Sequence, residues 1–143
     1  MPQEPSDPYN LQRFVDAQEP LYEQVRRELS AGRKASHWMW FIFPQIVGLG
    51  YSSMAARYAI SGNLEAAAYS SHPVLSARLR VCTALVNAVE GRTLEEIFGN
   101  PDDLKFRSCM TLFSICAKDS QVFQDALDKY FAGEGDPLTL SRL

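Results

Sequence analysis

The sequence has little of what common catalytic and metal sites are made from. It holds two histidines, His37 and His72, far apart and without an obvious third partner. Neither a catalytic triad nor an HExxH metal helix is present, and a GxSxG turn is missing as well. The three cysteines, Cys82, Cys109 and Cys116, cannot all pair, form no CxxC and have no histidine at metal spacing, which excludes a disulfide framework and a zinc pattern. They lie in apolar helical surroundings and read as buried thiols of a reducing compartment. Neither a metal nor a cofactor is expected. A basic excess is also lacking: 14 Lys and Arg stand against 17 Asp and Glu, a net charge of −3, which argues against dedicated nucleic-acid binding. The cluster Arg26, Arg27, Arg33 and Lys34 is expected to be a solvated helix end. No apolar run approaches the length of a membrane span, and the polar, proline-rich start from Met1 to Asp7 has no secretory signal. The expected location is the cytoplasm. No period-two alternation marks a strand, and there are no repeats, low-complexity tracts or internal linkers.

What is present is an ordinary globular composition, 46% apolar and 22% charged over 143 residues, long enough for one domain with its own core. Prolines punctuate it: Asp7-Pro8, Glu19-Pro20, His72-Pro73, Asn100-Pro101 and Asp136-Pro137 each place a polar or capping residue before a proline, the signature of a helix start. Expected helices run from Pro8 to Ala17, Pro20 to Ala31, Ser52 or Ser53 to Ile60, Leu64 to Tyr69, and from Pro73 to a stop at Gly91. Thr93 and Glu96 form a capping box for a short helix ending at Gly99. A helix from Pro101 to about Ala117 is apolar on nearly every side from Cys109 to Cys116 and is expected to be the central buried one. An amphipathic helix over Ser120–Phe131 and a short one from Pro137 complete the chain. The fold class is all-α, a compact single-domain bundle (1–143) of about seven to eight helices, several short, with residues 1–6 loosely held and no significant sheet.

The chemistry is expected around the stretch Lys34 to Ser53, which contains both tryptophans. Trp38 to Phe43 is assigned as a short helix capped by Ser36 and ended by Pro44, with an extended segment as the rival assignment. The Gly48-Leu49-Gly50 loop followed by a helix starting at Ser52 or Ser53 has the ingredients of an anion site: close backbone approach and unpaired N–H groups. Lys34, His37 and Arg57 supply nearby cations. Trp38 and Trp40 read first as core residues; whichever of them faces a cavity offers a flat ring on which a base stacks, and Gln45 an amide to read it. Asp103, Lys105, Ser108 and Thr111 share one broad side of the central helix. Hydroxyls in an otherwise apolar helix need partners, and a pocket supplies them.

Several of these residues also carry a family resemblance. Asp7-Pro8 with Leu11-Gln12-Arg13-Phe14-Val15 and Ala17-Gln18, then Lys34 with Ser36-His37-Trp38-Met39-Trp40, Phe43-Pro44-Gln45 and Gly48-Leu49-Gly50, resemble a bacterial and fungal family known as domain of unknown function 1810, sometimes labelled calpastatin. The likeness continues through Tyr58-Ala59-Ile60, Glu65-Ala66, Arg78-Leu79, Asp103, Lys105, Ser108-Cys109-Met110-Thr111-Leu112-Phe113, Asp136 and Thr139-Leu140. It spans nearly the whole chain and implies a compact, mostly helical fold. It transfers no activity. The calpastatin label does not suit a proline-punctuated, aromatic-rich globular chain.

The resulting expectation is a small helical protein whose polar and aromatic pocket binds or processes an anionic, nucleotide-like ligand. ADP-ribose and NAD derivatives fit that chemistry. His37, Asp103 and Lys105 are the candidates for catalysis. Lys34, Trp38, Trp40, Gln45, Gly48, Gly50, Ser52, Arg57, Ser108 and Thr111 are the candidates for binding. The alternative is a non-catalytic interaction module that uses the HWMWFIFPQ block as its docking surface.

Overall fold

A computed structural model describes residues 7–143; the expectation for residues 1–6 lies outside them. Among the described residues there are ten helices and no strand. They are α1 (Gln12–Gln18), α2 (Tyr22–Ser30), α3 (Met39–Ile42), α4 (Ser53–Arg57), α5 (Asn63–Ser71), α6 (Pro73–Asn87), α7 (Leu94–Phe98), α8 (Asp102–Cys116), α9 (Gln121–Phe131) and α10 (Pro137–Leu140). The all-helical class is as expected. The number exceeds seven to eight because α3, α4, α7 and α10 are pieces of four or five residues. Such short pieces persist only because tertiary packing holds them.

The capping chemistry accounts for most boundaries. Thr93 and Glu96 form the capping box of α7. The His72 imidazole accepts from the Val74 and Leu75 amides at the head of α6. Asp136 caps α10 by accepting from the Thr139 amide at 3.1 Å. The first start differs: Asp7 accepts from the Leu11 and Gln12 amides, so α1 begins a turn later than Pro8. Ser36 does not cap α3; its hydroxyl donates to the Glu28 carboxylate instead. The helix expected to reach Ile60 stops at Arg57, because buried Ile60 swings out to pair with Ile46 in an isolated parallel bridge. The Ile60 amide donates to the Gln45 carbonyl and the Val47 amide to the Ile60 carbonyl, both at 2.8 Å.

Two long helices organise the rest. α8 packs against α5, α7, α9 and α10, and α6 against α1, α2, α3, α5 and α9. Cys109 to Phe113 are all buried, so α8 is the central helix that its apolar half predicts. Trp38, Phe43, Phe98 and Phe106 form one aromatic cluster beneath it, with ring centroids 5.0 to 6.5 Å apart. This cluster fixes α3 and the loop after it against the first half of α8.

Candidate functional site

The geometry starts from a buried carboxylate in α2. One Glu28 oxygen accepts from the Ala35 amide at 2.6 Å, the Ser36 amide at 3.0 Å and the Trp38 indole N–H at 3.0 Å. The other accepts from the Ser36 hydroxyl at 2.7 Å and the Gln24 amide at 3.0 Å. Burial alone raises a carboxyl's pKa, but here the donors prevail and hold Glu28 down at about 2. The loop 34–38 is thereby tied to α2, with Trp38 fully buried.

Lys34 leaves that loop and reaches the head of α8. Its ammonium lies 3.1 Å from one oxygen of Asp102 and 5.2 Å from the Trp38 ring centroid. The other Asp102 oxygen lies 3.5 Å from the Lys105 ammonium, which sits 5.9 Å from the Trp40 ring centroid. One carboxylate therefore bridges two lysines. Lys34 is the interior one, its side chain 8% exposed, and Lys105 the outer one at 28%.

The loop after α3 faces them. The Ile46–Ile60 bridge pins its first part. Gly48 takes φ +96°, and a Cβ there would come within 2.6 Å of the Arg142 guanidinium. A Cβ on Gly50 would meet the Ala55 Cβ at 2.6 Å. Both glycines thus let the loop lie flat against its neighbours. On the far wall, one oxygen of Asp136 accepts from the Ser108 hydroxyl at 3.0 Å and the Thr139 hydroxyl at 2.6 Å, as well as from its capping amide. The Thr111 hydroxyl accepts from the Asp136 amide at 2.8 Å.

These elements enclose a cleft of two adjoining lobes. The inner lobe, of 200 Å³, is walled by Met39, Trp40, Gln45, Gly48, Tyr58 and Lys105 together with small residues of α4. The outer lobe, of 580 Å³, is lined by Gln45, Tyr51, Ser52, Leu104, Lys105, Arg107, Ser108, Asp136 and Leu138. Gln45, Gly50, Ala55 and Lys105 border both. The outer lobe has the size of an ordinary small-ligand pocket. Its rim is apolar: Tyr51 is 99% exposed, and Leu104 and Leu138 are exposed beside it.

Of the expected site residues, the cleft gathers Trp40, Gln45, Gly48, Gly50, Ser52, Lys105 and Ser108. Lys34 reaches it only through Asp102. Trp38 is sealed in the core and gives its N–H to Glu28, so it offers no stacking face. His37 is exposed and lies outside both lobes. Arg57 borders a different depression, with Asn10, Arg13 and Asp16. Asp103 accepts from the Asn100 side chain and the Leu104 amide, on a side of α8 away from the cleft lining. Thr111 is buried and holds the loop before α10 in place. Ser52 spends its side chain on the Ala55 amide, and α4 has only five residues, so the expected phosphate cradle is not built there. The aromatic block is equally unavailable as a docking surface: Trp38, Phe41, Ile42 and Phe43 are buried.

Sequence reasoning missed Asp102, Arg107, Asp136 as a wall residue, and Arg142. Asp136 was visible only as a helix cap, and nothing local ties the last turn of the chain to Gly48. The cysteines are free, and burial pushes Cys82 up to about 12, with Cys109 and Cys116 also raised. They are poor nucleophiles. Among the described residues no group of His, Cys, Asp and Glu could hold a metal ion, and no helix is long and apolar enough to cross a membrane.

Fold and cleft together define a class: a small all-helical domain with a two-lobed cavity whose lobes share one lysine. The chain belongs to a family described as a protein of unknown function, DUF1810, whose model matches residues 8–143. It is also similar to the crystal structure of a conserved hypothetical protein, Rv1873, from Mycobacterium tuberculosis, with 54% identity, a TM-score of 0.94, and coverage of 96% of this chain and 98% of that one. Among curated proteins nothing matches.

Proposed function

We propose that the cleft binds a small anionic ligand with a flat ring, of which ADP-ribose and related nucleotides are the fitting examples. The observation that carries this reading is Lys105, a cation standing where the two lobes meet. A ring in the inner lobe lies beside Trp40, with the Gln45 amide as its polar contact. The anionic part then meets Lys105 and Arg107 in the outer lobe. Asp136 has one oxygen committed to three donors; its other oxygen serves as the acceptor for a ligand hydroxyl. If the protein also transforms its ligand, Asp136 takes the acid–base role that Asp103 is badly placed to fill. The three unpaired cysteines suit a reducing, cytoplasmic setting.

The test is calorimetric titration with ADP-ribose, NAD and AMP. At least one is expected to bind the wild-type protein, and Lys105→Met is expected to weaken that binding roughly tenfold or more. His37→Ala, which alters no cleft wall, is expected to bind as the wild type does. Equal binding by wild type and Lys105→Met, or none by the wild type, refutes the reading.

A further inference from the structure

We infer that Lys34, although it lines neither lobe, is a positioning residue that sets how strongly the cleft attracts anions. This deepens the ligand-binding reading and rests on it. The Asp102 carboxylate lies 3.1 Å from Lys34 and 3.5 Å from Lys105. A carboxylate beside a ligand-facing lysine cancels that lysine's charge as an anion sees it. Lys34 reverses the cancellation: the three side chains together carry one net positive charge, and Lys105, the least buried of the trio, is the one at the cleft. Asp102 anchors Lys105 beside Trp40, and Lys34 offsets the charge of the anchor.

The alternative is a purely structural ion pair that ties the loop 34–38 to the head of α8. The two accounts differ in sign. In the structural account, removing either partner of the pair loosens the site, so Asp102→Asn weakens binding as Lys34→Met does, and removing both can restore it. In the electrostatic account, affinity follows the charge of the trio. Lys34→Met lowers that charge to zero, Asp102→Asn raises it to two, and the double variant restores one. Lys34→Met leaves the Asp102 carboxylate with Lys105 as its cationic partner, whereas Asp102→Asn leaves the buried Lys34 ammonium without its carboxylate; such a group is costly, so the stability of Asp102→Asn is measured alongside its affinity.

The experiment titrates ADP-ribose into the wild type, Lys34→Met, Asp102→Asn and the double variant, at low and high salt. Circular dichroism and thermal melting check that each is folded. Lys34→Met is expected to bind roughly three- to tenfold more weakly, the effect of one unit charge acting across the width of the Asp102 bridge. Asp102→Asn is expected to bind at least as tightly as the wild type. The double variant should return to within about threefold of it, and the gap between Lys34→Met and wild type should narrow as salt rises. Unchanged affinity in Lys34→Met overturns the inference, as does a folded Asp102→Asn that binds more weakly than the wild type or a double variant as weak as Lys34→Met. In either case wild-type binding still stands and the parent reading survives. No binding by the wild type overturns both.

Discussion

Glu28 shows how much one side chain can organise. Five donors converge on it from Gln24, Ala35, Ser36 and Trp38, and they keep its pKa at about 2 against an ordinary 4.5. The sign of the linkage follows: the folded value is depressed, so the stabilisation is complete above pH 4.5 and is lost as the pH falls toward about 2. A difference of this size corresponds to at most about 3 kcal/mol. In Glu28→Gln the new amide group faces donors, so a loss of about 2–3 kcal/mol is expected in urea denaturation at neutral pH. The variant's stability should also vary less between pH 4.5 and 2 than the wild type's. Trp38, which gives Glu28 its indole N–H, is fully buried; Trp38→Ala is expected to cost about 3–5 kcal/mol. Composition already marked Trp38 as important. It did not reveal that the ring is a structural pillar while Trp40, two residues later, is a wall of the cleft, because Trp38 precedes α3 with non-helical backbone and Trp40 lies inside it, so the two rings face different surroundings.

At the scale of elements, the loop from Pro44 to Tyr51 is stapled at both ends, by the Ile46–Ile60 bridge and by the Ser52 cap of α4. Between the staples, Gly48 is held at φ +96° against Arg142. Gly91 provides the comparison, with φ +74° and nothing within 4 Å of the Cβ position. Gly91→Ala is expected to cost about 1–2 kcal/mol from the backbone alone. Gly48→Ala adds the displacement of Arg142 and is expected to cost more, in the same denaturation assay. Helix starts written by local chemistry were legible: the Thr93–Glu96 box, the His72 and Asp136 caps, and the apolar half of α8. One misjudged end was set locally, by Asp7 delaying the start of α1; two others were decided elsewhere in the chain. Ile60 leaves the helical path for a partner fourteen residues back, and Ser36 forgoes capping for a carboxylate in α2. Neither choice has a local signature.

For the molecule as a whole, α6 and α8 make one continuous core, and the cysteines sample its depth. Cys82 and Cys109 are buried and Cys116 is half-buried. Under native conditions maleimide labelling followed by mass spectrometry is expected to modify Cys116 first. Cys82 and Cys109 are expected to react only at the rate of global opening. Early labelling of Cys109 would show that the centre of α8 opens locally. The site was half legible at this scale for the same reason the loop ends were not. Lys105 and Ser108 lie on a helix whose pattern was clear, and Gln45, Gly48 and Gly50 follow an unmistakable aromatic run. Arg107 and Asp136 share a wall only because α10 folds back across α8, Arg142 meets Gly48 from the end of the chain, and Asp102 is tied to Lys34 from the loop before α3.

The separation of the two indoles gives the protein a built-in optical gauge. Trp38 is shielded from water and Trp40 borders the inner lobe, so their emission divides into a constant part and a responsive part. A guest seated in that lobe should quench or shift only the second. Replacing Trp40 by phenylalanine should leave only the steady emission of Trp38, which filling the lobe does not move.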